Sequence, residues 1–237
     1  MSKGIQEALQ LELCAPDSKD RLDELKRELG PKLCSPEAVA PPPGLATGWL
    51  KLDRFLLWHG FPKGAVSLMV SEAGGATTLW VRAAAQVTAQ GQWAAWINDG
   101  QSDLTPWSLR HRKVDLSKFL CVSHPADDKQ ILWALQELMS LCLFETIGCD
   151  LGDVRLREHQ VLKLKKLAAR YGCAVVLITS AKKVQLSPFY SLILQFQRHH
   201  VLVTRALHRP TPFTLERRDL YADTLPLLAS GRRALCG

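Results

Sequence analysis

Apolar residues recur along this chain with two periods, and the two alternate. Predominantly apolar runs at Ala65–Val70, Trp93–Ile97 and Cys173–Thr179 predict strands, as do Phe119–Ser123 and Glu145–Asp150. The run at 173–179 is nearly continuous, as expected for a strand buried on both faces. Between them, apolar positions three and four apart predict helices. One runs from about Thr77 to Gln90 and is closed by Gly91. A second, Asp127–Leu141, carries Ile131, Leu135 and Leu138 on one face. A third, Arg155–Tyr171, is closed by Gly172 and has Val161, Leu164, Ala168 and Tyr171 as its apolar stripe. Beyond Thr179 the pattern changes. Tyr190–Phe196, His200–Arg205 and Pro212–Arg217 predict three strands with no helix between them. The predicted fold class is therefore α/β. Right-handed βαβ units build a mostly parallel sheet flanked by helices, and antiparallel strands extend it at the C-terminal edge.

Ahead of this core, residues 17–29 predict a short helix with Leu22, Leu25 and Leu29 on one face, stopped by Gly30-Pro31. A proline-rich linker follows, with Pro36 and Pro41-Pro42-Pro43. So short a helix does not persist undocked. The expected organisation is an N-terminal assembly segment at 1–43, a core at 44–220 and a tail at 221–237. The helix is expected to dock on another molecule, a second copy included. Packing against its own core is the simpler alternative.

Composition narrows the class. Hydrophobic residues make up 47% and charged residues 22% of the 237, which fits a globular chain. No run reaches the roughly 18 apolar residues of a membrane span. The first residues, Met1 to Glu7, lack an apolar signal core, so a cytoplasmic location is expected. The seven cysteines include no CxxC pair and predict neither a disulfide framework nor a zinc site. Charge is unevenly placed. Residues 154–237 hold 15 basic and 4 acidic side chains, whereas the two preceding segments, 1–43 and 44–153, are each slightly acidic. That asymmetry points to an anionic partner, nucleic acid or an acidic protein face. A merely solubilising surface is the simpler reading. The candidates are Lys163, Lys165, Lys166 and Arg170 on the third helix, with Lys182, Lys183, Arg205, Arg209 and Arg217 on later loops and strands. Arg217 and its neighbour Arg218, read as strand residues, should point to opposite faces.

The turn between the first strand and first helix carries the most specific chemistry. A phosphate-binding loop reads G-x-x-x-x-G-K-S/T after a strand and before a helix. Backbone N–H groups cradle phosphate, the Lys supplies charge and the hydroxyl holds magnesium. Here the stretch is Val70-Ser71-Glu72-Ala73-Gly74-Gly75-Ala76-Thr77-Thr78. Gly75 and Thr77 stand where the second Gly and the Ser/Thr belong. Val70 replaces the first Gly, Ala76 replaces the Lys, and Glu72 adds an anion. Charge-assisted bonds to phosphate each contribute roughly 1.5–3 kcal/mol, so the loss weakens affinity and rate together. The expected cofactor set is empty, with weak ATP or anion binding through backbone N–H groups as the residual alternative.

The order of motifs resembles the RecA family. Leu45-Ala46-Thr47-Gly48-Trp49-Leu50-Lys51-Leu52-Asp53 is similar to its S/T-G-x-x-x-L-D segment, and Gly60-Phe61-Pro62-Lys63-Gly64-Ala65-Val66 to the glycine-rich lead into its first core strand. Trp93–Asp99 is similar to the strand that ends near the family's catalytic Glu, and Val114–Leu120 to the segment before the next strand. Glu145–Asp150 is similar to the Walker B strand, with Asp150 as its terminal acid. Gly100 falls where the Glu is expected, and Thr179-Ser180 replace an Asn-Gln pair that senses the γ-phosphate. The two DNA-gripping loops are shortened to Leu151-Gly152-Asp153 and about Ala181–Pro188. A RecA-like core with these losses resembles the ImuA family, which the basic helix with Leu164-Lys165-Lys166-Leu167-Ala168-Ala169 also resembles. SulA-type division inhibitors are a second possible relative. The resemblance implies no enzyme activity. It implies an accessory role in damage-induced mutagenesis and translesion synthesis, with RecA and Y-family-type polymerase subunits as partners. DNA contact and self-association are further expectations, and no membrane is expected. The competing reading is a divergent ATPase in which Lys63 or Arg82 replaces the missing Lys. Trp80, Trp93, Trp96 and Trp133 are expected in the core. Trp49, Trp58 and Trp107 are expected on a contact surface.

Overall fold

The computed structural model describes residues 44–98, 104–123, 128–152, 154–180, 186–206 and 211–222. All lie in the second of the chain's two units, Pro42–Gly237. The predicted helix at 17–29 with Leu22, Leu25 and Leu29, the linker, and Gly100, Lys182, Lys183 and Arg209 fall outside the described residues.

The strands are β1 (Gly44–Leu45), β2 (Phe61–Pro62), β3 (Ala65–Ser71), β4 (Trp93–Asn98), β5 (Phe119–Ser123), β6 (Phe144–Asp150), β7 (Ala174–Thr179), β8 (Leu192–Phe196), β9 (His200–Ala206) and β10 (Phe213–Glu216). The helices are α1 (Leu50–Phe55), α2 (Ala76–Ala89), α3 (Pro106–His111), α4 (Asp128–Ser140), α5 (Glu158–Tyr171) and α6 (Arg217–Ala222). Eight strands form one sheet in the order β10-β9-β8-β3-β7-β6-β4-β5. Six are mutually parallel, and β9 and β10 join antiparallel at one edge. The mostly parallel α/β sheet with an antiparallel C-terminal edge is thus observed.

Strand alternation divides the core between the two faces of the sheet. Val66, Leu68 and Val70 of β3, Val175 and Leu177 of β7, and Ile147 of β6 pack with Leu135 and Leu138 of α4 and Val161, Leu164 and Ala168 of α5. Met69, Val176, Ile178, Trp96 and Leu194 take the other face with α1 and α2. On that face the Trp80 and Trp96 rings sit 4.7 Å apart. They press on Gly148 so closely that a Cβ there would lie 2.4 Å from Trp80.

Several expectations are corrected. Pro212–Arg217 is not one strand. β10 ends at Glu216, and Arg217 begins α6, so alternation across a strand no longer separates Arg217 from Arg218. The helix expected from Arg155 starts at Glu158. Gln160 Oε1 accepts from Arg157 N at 2.7 Å and caps that end. Trp133 is 64% exposed, because it lies about 200° around α4 from Ile131. Trp49 and Trp58 are buried, because the segment from β1 to β2 folds onto the α2 face. Phe55 of α1 stacks on Phe213 of β10, centroids 3.9 Å apart. The short elements β1, β2, α1, α3 and α6 carry too few residues for periodicity to mark them.

Candidate functional site

The degenerate loop leaves the carboxyl end of β3, an interior strand between β8 and β7. It leads through α2 to β4, past β7 and β6. In open α/β sheets ligands bind outside the carboxyl ends of the strands. Gly74 and Gly75 hold φ of 74° and 97°. This left-handed pair turns the chain into α2 and suits glycine.

The loop is occupied by the protein itself. The Arg217 guanidinium donates to Ala73 O at 2.9 Å and to Gln197 O at 3.2 Å, and lies 3.3 Å from Tyr221 Oη. A Cβ on Gly75 would stand 3.1 Å from both Arg217 Nη2 and Tyr221 Oη. Two sets of sequence candidates, the vestigial loop and Arg217, thus meet at one place. Ala76 is fully buried in the core with Met69, Leu79 and Phe196. Thr77 and Thr78 are half-buried in the first turn of α2. Asp150 ends β6 at the same edge, its register partner Ile178 pairing in turn with Met69 of β3. That places Asp150 two strands, about 10 Å, from β3. Its carboxylate accepts from Gly152 N at 3.1 Å.

Neither substitute cation is poised at the loop. Lys63 precedes β3 at the opposite, amino end of the sheet and pairs with Glu145. Seven strand residues, about 23 Å, separate it from the loop. Arg82 donates to Gly48 O and Leu220 O, tying the residues before α1 to α6. Beside it, Asp53 accepts from Thr47 N at 3.0 Å, Thr47 Oγ1 at 2.7 Å and Gly48 N at 3.2 Å. Burial raises the Asp53 carboxyl above its ordinary value. These hydrogen bonds and the Arg82 charge oppose the shift. The Thr-Gly…Asp segment therefore braces the fold.

An open cleft of ≈ 710 Å³ flanks Arg217, lined by Arg198, His199, His200, Thr214, Glu216, Arg218 and Tyr221. Arg198 lies in the β8–β9 turn and is exposed. Sequence reasoning missed Arg198 and Tyr221. The polar break Gln197-Arg198-His199 was the available signal for the first. The other basic candidates among the described residues do not converge here. Lys163, Lys166 and Arg170 form an exposed row on α5, with Lys165 half-buried beside them. Arg205 donates to Ser187 O at 3.3 Å. Among the described residues no group of three His, Cys, Asp or Glu converges on a metal position. Among them, too, no helix is long and apolar enough to cross a membrane.

No curated protein matches the chain. Residues 55–183 match the family model described as the MT3502 N-terminal domain. The match takes in the degenerate loop and Asp150 and stops short of Arg217. It covers more than half of the sequence, so the chain belongs to the MT3502 N-terminal domain family.

Proposed function

We propose that this chain is a non-catalytic, RecA-like accessory protein of the bacterial DNA-damage response. In this reading it binds RecA and a Y-family-type polymerase complex and supports translesion synthesis without hydrolysing ATP. The observation that carries the reading is Arg217 seated over Gly74 and Gly75, with Ala76 buried where a phosphate-binding Lys would stand. A nucleotide's phosphates would have to displace a guanidinium held by two backbone carbonyls. The RecA likeness is supported by the loop at the head of a central parallel strand and by Asp150 on the same edge two strands away. The engagement of Lys63 and Arg82 elsewhere speaks against a divergent ATPase that uses either of them as its cation.

The test is gel filtration of the full chain with purified RecA, with and without ATP in the column buffer. The reading expects a co-eluting complex that forms equally well when this chain carries Thr77→Ala, which removes the hydroxyl that would hold magnesium, because the complex does not need a nucleotide in this loop. Separate elution of the two proteins under all conditions would overturn it.

A further inference from the structure

We propose that the carboxyl-edge cleft binds a single-stranded nucleic acid, with its phosphates on Arg198 and Arg218 and a base on the ring of Tyr221. Among the described residues, three guanidiniums line the cleft against one carboxylate, Glu216. They divide the work. Arg217 is turned inward and spends its donors on Ala73, Gln197 and Tyr221. Arg218 is 81% exposed and, among the described residues, pairs with the exposed Glu216, an ion pair that water and a competing anion readily exchange. Arg198 is exposed, and among the described residues no ion pair engages it. Two outward guanidiniums beside a fixed third suit successive phosphates, which Arg binds as a planar fork.

Shape and aromatic content select the ligand. The cleft is open to solvent and not an enclosed cavity, so a polymer can lie across it. Tyr221 is 39% exposed, and its ring lies 5.9 Å from the Arg217 guanidinium. An exposed aromatic among basic groups is a stacking platform for an unpaired base. A duplex keeps its bases stacked on one another and cannot use that ring. An acidic peptide would use the guanidiniums and leave the ring idle. The proposal does not depend on how the neighbouring loop treats ATP, and its failure would leave the non-catalytic reading intact.

Fluorescence anisotropy tests it, using the full chain and a labelled oligothymidylate about 20 nucleotides long, longer than one domain's site. The paired substitution Arg198→Ala and Arg218→Ala should lower affinity at least about tenfold. It should also flatten the slope of log affinity against log salt by about 1.4, two phosphate contacts at about 0.7 each. Both positions are exposed, so the melting temperature should not move. Tyr221→Phe should retain binding, whereas Tyr221→Ala should lose at least about fivefold, the low end for one stacked base. Lys163→Ala with Lys166→Ala on α5 should have the smaller effect. No anisotropy change with the wild-type chain would overturn the proposal, as would unchanged binding by the Arg198/Arg218 variant. Equal losses in Tyr221→Phe and Tyr221→Ala would remove the stacking role. Poly-glutamate or inorganic triphosphate displacing the oligonucleotide at equal charge concentration would show a general anion site and sink the nucleic-acid assignment.

Discussion

Ala76→Lys restores the lysine of a working phosphate loop, and this fold has no room for it. Ala76 is 0% exposed and packs in the core with Met69, Leu79 and Phe196. A lysine there has two courses. If it stays inside, the added methylenes overpack the core by about 1–3 kcal/mol. Its ammonium, desolvated and unpaired, adds at least about 1–3 kcal/mol more. If it turns out over Gly74 and Gly75, it meets Arg217 in the space that guanidinium fills. Two unit charges about 4 Å apart repel by about 4 kcal/mol at an effective dielectric of about 20, and by less where water reaches them. Kept inside, the lysine destabilises the fold by about 2–6 kcal/mol; turned outward, by up to about 4 kcal/mol. For a domain of this size each kcal/mol lowers the melting temperature by about 2–4 °C, so a drop of roughly 5 °C or more is expected. Thermal and urea melts of Ala76→Lys, Arg217→Ala and the double variant measure it. Arg217→Ala alone should cost about 1–2 kcal/mol, through the bonds to Ala73 O and Gln197 O. If the lysine takes the outward course, the double variant is more stable than additivity predicts by about 1 kcal/mol or more. An Ala76→Lys protein that melts with the wild type would refute the reasoning, because the site would then accept the lysine it is argued to exclude.

Three further outcomes follow from the packing and the titrating groups. Gly148→Ala should destabilise by at least about 1–3 kcal/mol in urea melts, since its Cβ would lie 2.4 Å from Trp80 and 2.6 Å from Trp96; a variant as stable as wild type would contradict that packing. Cys173, buried with its thiol pushed up to about 12, should resist iodoacetamide at pH 8, while the exposed Cys121 and Cys142 react. Asp53 titrates above its ordinary 3.8 in the folded state, so the native form holds a proton that the unfolded form has already released. Its contribution to stability is therefore greatest below pH 3.8 and is lost as pH rises through the folded-state pKa. The stability difference between wild type and Asp53→Asn should shift toward wild type between pH 6 and pH 3.5, and a flat or opposite trend in urea midpoints would contradict the assignment.

Much of this architecture was legible before any coordinates, and the particular failures are informative. Strands such as β3 and β7 announce themselves because both faces are buried, giving apolar runs that only the buried Ser67 interrupts within Ala65–Val70. The stripe Val161, Leu164 and Ala168 of α5 was equally plain, and its residues are buried as expected. Helix α6 was missed because it has six residues and follows β10 without a break. Periodicity needs about two turns to distinguish a helix from a strand. The error on Trp49 and Trp58 came from reading segment ends as surface, when the chain from β1 to β2 doubles back over α2. The missing Lys, and the loop's place after a strand and before a helix, were written in the residues. That Arg217 fills the loop was not, because the two lie 142 positions apart in sequence. No local pattern links a loop after the first long strand to a helix after the last.

The central claim is that the loop between β3 and α2 no longer works on ATP. It is tested most directly by steady-state phosphate release from the full chain, with ATP and magnesium, in the presence and absence of single-stranded DNA. The account predicts release indistinguishable from a protein-free blank in both conditions, and the same result for Ala76→Lys. Turnover that follows the protein peak through gel filtration and rises on adding DNA would contradict it.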